Sequence, residues 1–201
     1  MGKDFVYLAS ASPRRGELLR QIGVRFEVRA AAILEEREPG ESPQIYVARL
    51  AAAKANAVWQ RLDEPDPAPV LAADTAVVLD DRVLGKPAGP NDALQMLEQL
   101  SGRSHDVLTA VAVRHGQRTE TRLSRSEVRF RATTAPERWA YCRTDEPFDK
   151  AGAYGIQGFA AVFVECLTGS YSGVVGLPLF ETASLLESFG VPLWQDGRSV
   201  G

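Results

Sequence analysis

Two cysteines, two histidines and two methionines are all that the 201 residues contain. Cys142 and Cys166 stand too far apart for a metal or redox spacing and are expected to be reduced and partly buried, as free cysteines usually are. Neither His105 nor His115 lies beside a cysteine, and no H-E-x-x-H or G-x-S-x-G occurs, so a histidine-based hydrolase has no support. No G-x-x-x-x-G-K-[ST] is present either, which excludes a Walker A loop. Apolar runs never approach the ~20 residues needed to span a bilayer. The run Phe5 to Ala9 is too short for the core of a secretory signal, so a cytoplasmic location is expected. Basic blocks are missing as well: the net charge is -3, and nothing resembles the cationic face that releases counterions from a duplex. Neither nucleic acid nor membrane is an expected partner.

With 45% hydrophobic and 24% charged residues, the chain suits one large domain or two closely packed lobes sharing a core. Phe5 to Ala9 reads as a buried strand. Ser12 then serves as a helix N-cap and Pro13 as the first helical residue, with Gly23 as the stop. Val24 to Ala30 is a second strand, and 33 to 41 is acidic and turn-rich. Ser42-Pro43 repeats the start signal for the longest helix, over 43 to 62, and a proline-rich loop follows over 63 to 69. Val70 to Leu79 is the most strand-like stretch, turned back at Asp80-Asp81 towards Val83-Leu84. A helix over 90 to 100 precedes a hairpin of Val107 to Val113 and Thr119 to Phe130. The spacing then predicts a short helix over 135 to 143, an irregular glycine-rich stretch over 145 to 158, a strand over 162 to 167 and a last helix over 177 to 189. Alternating strands and helices interrupted by a hairpin argue for an α/β fold with a mixed, twisted sheet.

Four segments could carry chemistry. In the first, Ser10-Ala11-Ser12-Pro13-Arg14-Arg15, unpaired amides and the helix dipole favour an anion, and two guanidiniums can hold phosphate oxygens in pairs. A plain helix start with solvated arginines is the alternative; but arginine in a first turn mildly opposes the dipole, and two of them suggest a bound anion. In the second, Asp74 interrupts the apolar run Ala72 to Val78, where a carboxylate needs a partner or a metal; it can equally be structural. Glu35-Glu36 could add carboxylates, or be a solvated charge run. In the third, Lys86 is held on a stiff Gly85-Lys86-Pro87 turn, while Lys54 lies near the apolar stripe of its helix, where snorkelling explains it. The fourth, Asp149-Lys150-Ala151-Gly152-Ala153-Tyr154-Gly155-Ile156-Gln157-Gly158, packs three glycines into seven residues, which implies unusual backbone angles or close approach. There Lys150, Tyr154 and Gln157 together could read a base or sugar, or the segment is a structural loop.

Taken together, and in this order, Ser10-x-Ser12-Pro13-Arg14-Arg15, Ala73-Asp74-Thr75, Gly85-Lys86-Pro87 and the segment 149 to 158 resemble the Maf family of house-cleaning nucleoside triphosphate pyrophosphatases, historically linked to septum formation. The resemblance runs from about residue 5 to residue 190. It implies a single Maf-like domain over 1–201, built of two lobes around a deep cleft as in the inosine triphosphatase family, and often a homodimer. It implies hydrolysis between the α and β phosphates with a divalent cation, Mg2+ or Mn2+.

Position by position, the resemblance makes Arg14 and Arg15 phosphate ligands with Ser10 and Ser12 beside them. Lys54 and Lys86 match phosphate-facing lysines, and Glu35 a metal ligand. Asp74 becomes the general base or a metal-linked carboxylate that positions water. The family often carries an acid just before that glutamate; here it is Leu34, for which Glu36 is a candidate substitute. The segment 149 to 158 is similar to the branch acting on dTTP and UTP, with Gln157 suited to the O4 and N3–H of thymine or uracil. Lys150 belongs to the same loop, and Arg14 and Thr75 align with other branch-distinguishing positions. The rival readings are the 7-methyl-GTP branch and a non-catalytic cell-division regulator.

Overall fold

In the computed structural model, which describes residues 3–63, 65 and 67–195, β1 (Phe5–Leu8) runs into α1 (Pro13–Gln21). Ser12 occupies the N-cap position, but its side chain makes no cap bond; instead its N–H donates to Ser10 Oγ at 3.2 Å. Gly23 ends the helix at φ +66°, and a Cβ there would lie 2.6 Å from the backbone nitrogen of Gln195. β2 (Arg25–Val28) follows, then the acidic loop and α2 (Pro43–Trp59). In α2 the Ser42 side chain does accept the Ile45 N–H, at 3.3 Å, as the cap-then-proline signal predicts. The helix closes three residues short of the expected Leu62, where turn bonds such as Leu62 N–H to the Trp59 carbonyl take over.

β3 (Val70–Leu79) turns into β4 (Arg82–Leu84) through Asp80 and Asp81, both at positive φ, the backbone a tight two-residue hairpin requires. α3 (Pro90–Leu100) leads to the hairpin of β5 (Ser104–His115) and β6 (Arg118–Phe130), and then to α4 (Ala135–Cys142). The Thr134 and Glu137 side chains cap α4 reciprocally. Three 3-10 turns lie within 146–163, the last ending at Phe163, so the expected strand at 162 begins only at Val164: β7 spans Val164–Thr168. A short helix that periodicity does not announce, α5 (Tyr171–Val175), precedes α6 (Leu179–Ser188). Five residues are too few to show a period, and only the Ser170 cap on Gly173 N–H marks it. No described helix is long and apolar enough to cross a membrane.

Among the described residues seven strands form one sheet in the order β2-β1-β3-β5-β6-β7, with β4 also on β3. β1 is parallel to β2 and β3, and the remaining pairs are antiparallel. The mixed α/β sheet is therefore as expected. α2 covers one face, packing Val47, Ala51 and Ala55 on Ala72, Ala76 and Ala110; the alanines let helix and sheet approach closely. The other face carries two clusters, one joining α1 and α6 through Leu19, Leu71, Ala73 and Leu185, the other built from Val77, Leu97, Val128, Phe130 and Phe163. Cys142 is buried in the latter, whereas Cys166 is exposed on the edge strand β7, which corrects the expectation that both are partly covered. Edge strands have no neighbour to hide a side chain.

One detail of β3 positions everything functional. On one side β3 pairs with β5 without interruption from Val70 to Val78. On the other, β1 pairs with it only as far as Leu71, and β4 only from Val77. Residues 72–76 therefore lack a strand neighbour on that side, and Asp74 sits in the middle of the gap. The gap also lies at the carboxyl end of β1, where chain direction diverges to β2 on one side and β3 on the other, the usual place for a ligand crevice in an open α/β sheet.

Candidate active site

Around this gap lies a cavity of about 750 Å3, lined by Ser10, Ser12, Arg14, Arg15, Glu35, Lys54, Asp74, Thr75, Lys86, Lys150 and Gln157. Every site residue expected from the sequence thus faces one space, although six separate stretches of chain supply them. Strand alternation sends Asp74 to the α2 face and Thr75 to the opposite face; the missing neighbour lets both reach the same opening.

On the α2 face Lys54 is buried, not snorkelling. Its Nζ lies 2.6 Å from Asp74 Oδ1 and 2.7 Å from a Glu35 carboxylate oxygen. The cation compensates an acid that would otherwise be poorly tolerated inside a strand. Burial raises the Asp74 pKa above its usual 3.8, with Lys54 pulling the other way. Among the described residues Asp74 Oδ2 takes no hydrogen bond, which leaves that oxygen to the cavity.

Glu35 is delivered by a loop with no regular structure, and α2 holds that loop by side chains. Tyr46 donates its hydroxyl to the Glu35 carbonyl at 3.1 Å. Arg49 clasps the Glu41 carboxylate at 2.7 and 2.8 Å and the Glu36 carbonyl at 2.8 Å. Leu34 is 74% exposed, and Glu36 is not among the residues that line the cavity.

On the opposite face Arg15 is fixed by three acceptors: the Gly176 carbonyl at 2.8 Å, Ser10 Oγ at 3.0 Å and Thr75 Oγ1 at 3.3 Å. Burial lowers its pKa, opposed by Asp74 and Glu35. Behind Thr75 stands Thr109, its hydroxyl 3.0 Å from Thr75 Oγ1 and 2.7 Å from the Gly173 carbonyl. Arg14 is less committed, 3.8 Å from Asp149. Lys86 is exposed and has no ion pair among the described residues. A rigid guanidinium beside two looser cations suits a flexible polyanion.

The glycine-rich segment forms the remaining wall. Gly152, at φ +68°, donates its N–H to the Gly85 carbonyl at 3.0 Å and so ties this wall to the Lys86 turn. Gln157 is exposed at the cavity. Lys150 instead folds back, its Nζ donating to the Glu146 carbonyl at 2.7 Å and to Asp149. Tyr154 touches the cavity but is committed to the core: it is buried, its ring packs edge-on to Phe130 at 4.8 Å and its hydroxyl lies 2.8 Å from His105 Nε2. An aromatic in a glycine loop looks like a ligand platform until the core it belongs to is visible. Thr109, Tyr46, Glu41, Arg49 and Glu146 do not stand out in the sequence. Only Thr109 leaves a trace there, as a hydroxyl inside an apolar strand.

The chain matches the family described as Maf-like protein over residues 5–189. It is 55% identical over 200 residues to the dTTP/UTP pyrophosphatase of Aromatoleum aromaticum, covering 94% of this chain and 97% of that protein. It is 53% identical over 192 residues to the dTTP/UTP pyrophosphatase of Saccharophagus degradans, covering 95% and 91%. Identity to that of Nitrosospira multiformis is 54% over 200 residues, covering 94% and 97%.

Proposed function

From the premise that this chain belongs to the Maf family, we propose that it is a house-cleaning pyrophosphatase that hydrolyses dTTP and UTP to the monophosphate and pyrophosphate. The observation that carries the reading is the convergence of a fixed arginine at a helix start and a buried, lysine-paired Asp74 on one cavity. Either half alone would serve many phosphate binders. The names of three relatives at 53 to 55% identity support the substrate pair.

Asp74 Oδ1 is tethered by Lys54, and Oδ2 is the acceptor for a proton from water attacking the α-phosphorus. In the alternative role, Asp74 is a metal-linked carboxylate that positions the water. The amides at the start of α1, with Ser10, Ser12, Arg14 and Arg15, hold the phosphates. Together with Lys86 they stabilise charge developing on the departing pyrophosphate, and such electrostatic stabilisation usually contributes most to the rate. Thr75 orients Arg15, and Gln157 pairs with the O4 and N3–H of the pyrimidine. Lys150 contributes by supporting the Gln157 turn, with its ammonium held on Glu146.

Asp74 and Glu35 fit a divalent cation. Lys54 Nζ takes one oxygen each of Asp74 and Glu35, at 2.6 and 2.7 Å, and the second oxygen of each carboxylate would hold the cation. No group of three or more metal-binding side chains occurs among the described residues. Two carboxylates completed by substrate phosphates and water is the arrangement Mg2+ commonly takes, and Mn2+ accepts the same oxygen donors. When bound, the cation supplies Lewis-acid neutralisation of the phosphate oxygens. Two lobes around the cavity, a homodimer and a cytoplasmic location belong to the same proposal.

The test is purified protein with Mg2+ and a panel of triphosphates, scored for pyrophosphate. dTTP and UTP are expected to be turned over best. A strong preference for 7-methyl-GTP overturns the substrate reading, and absence of pyrophosphate from every triphosphate overturns the enzyme.

A further inference from the structure

Glu146 sits in a 3-10 turn ahead of the glycine segment and lines the cavity, yet the steps above use only its carbonyl, as the acceptor for Lys150, and not its carboxylate. Its carboxylate accepts the Phe159 N–H at 2.7 Å, the Ala160 N–H at 3.3 Å and the Tyr141 hydroxyl at 2.9 Å. Its carbonyl accepts the Lys150 ammonium at 2.7 Å. One residue therefore clamps the stretch 147–158 from both ends.

Between those ends lies the turn that carries Gln157. Gly158 N–H closes it on the Gly155 carbonyl at 3.1 Å, placing Ile156 and Gln157 at its centre. Ile156 packs against the α1/α6 cluster. On the other side both glycines make room for the clamp. A Cβ on Gly158 would lie 2.0 Å from Glu146 Oε2, and one on Gly155 would lie 2.7 Å from Lys150 Cε. Two of the segment's glycines are thus explained by what must pass beside them. Burial and the Glu146 hydrogen bond raise the Tyr141 pKa, so the phenol stays a donor at any working pH.

We propose that Glu146 is a positioning residue that fixes the Gly155–Gly158 turn and thereby sets which nucleoside base Gln157 accepts. This rests on the reading of Gln157 as the base-contacting residue. The carboxylate touches no reacting atom; it holds two backbone amides whose release lets the turn drift. Base discrimination depends on hydrogen-bond geometry at Gln157, whereas the Ser10–Arg15–Thr75 part of the phosphate cradle takes none of its bonds from the clamped stretch.

The experiment compares the wild-type chain with Glu146→Ala, Glu146→Gln and Tyr141→Phe, using dTTP, UTP, dCTP and GTP with Mg2+. Glu146→Ala is expected to raise KM for dTTP about tenfold or more and to erode discrimination against dCTP, in the range for lost hydrogen bonds to a charged group. The smaller part of the effect falls on kcat. Glu146→Gln keeps one acceptor oxygen for the Phe159 amide but sets its NH2 against the Ala160 N–H and the Tyr141 hydroxyl, so it restores KM only in part. Tyr141→Phe gives a milder change in the same direction. An equal loss on all four triphosphates, or no rescue by Gln, overturns the proposal in favour of a purely structural role. Amide exchange at Phe159 and Ala160, measured without nucleotide, separates this idea from the functional reading. Faster exchange in a folded Glu146→Ala supports the clamp, and unchanged exchange overturns it whatever the substrate. A wild type that prefers another triphosphate overturns the dTTP/UTP reading only, and the KM comparison is then made on that triphosphate.

Discussion

Asp74 sits where an isolated carboxylate would be neutralised or excluded; burial raises its pKa, and Lys54 at 2.6 Å opposes that rise. Asp74→Asn keeps the shape but replaces the carboxylate by an amide, which cannot take up the proton from water. We expect turnover to fall by at least ~100-fold, the size typical of a lost general base, measured as pyrophosphate release from dTTP. Near-normal release by that variant would remove Asp74 from the chemistry. The serines show how little a residue's neighbours in sequence determine its task. Ser42 and Ser12 both precede a proline at a helix start, yet only Ser42 caps with its side chain. Ser12 instead lends its backbone N–H to Ser10, and Ser10 in turn receives Arg15.

α2 acts as a platform for the Glu35 loop as much as a core helix, through the Arg49–Glu41 clasp. The Arg49 hydrogen bonds hold the Glu41 pKa down to about 2, against a usual 4.5. A depressed carboxylate adds stability that is present above its unfolded pKa and is lost as pH falls through the folded one. Wild-type stability should therefore decline between about pH 4.5 and 2 through this group. Urea midpoints measured across that range should show a flatter decline for Glu41→Gln. An unchanged pH profile would mean that the clasp contributes nothing. Elements that span several periods, such as α2, α3 and β3, are legible from spacing, and β3 and α3 have the expected ends. α5 and the 3-10 turns are not, because their geometry is fixed by bonds to distant strands, such as Ser126 Oγ to the Ser170 carbonyl at 3.2 Å. The candidate site divides the same way. Residues expected at the cavity are those whose type is odd for its local setting: an acid in a strand, arginines at a helix start, a lysine between Gly and Pro. Glu41, Arg49 and Glu146 are ordinary charged residues in polar stretches, and only the tertiary fold brings each to its partner.

At the scale of the whole molecule, a single sheet separates a helix layer made by α2 from a face shared by two clusters. Leu185 of α6 is fully buried against the cluster that also holds Leu18 and Leu19 of α1. Leu185→Ala should lower unfolding free energy by about 2–5 kcal/mol, the range for a truncated core leucine, read from urea denaturation. A change under about 1 kcal/mol would mean that α6 is not part of the cooperative core. The cavity is cut into this frame where β3 lacks a neighbour over residues 72–76, while its other edge is paired with β5 throughout. Two walls of the opening, the Glu35 loop and the glycine segment, contribute no rung to any strand ladder. Over evolutionary time, replacements in the glycine segment can alter which base is admitted without disturbing a single sheet pairing, whereas the strand bearing Asp74 is locked along one side. A fold arranged this way can diversify its substrates while conserving its hydrolytic step.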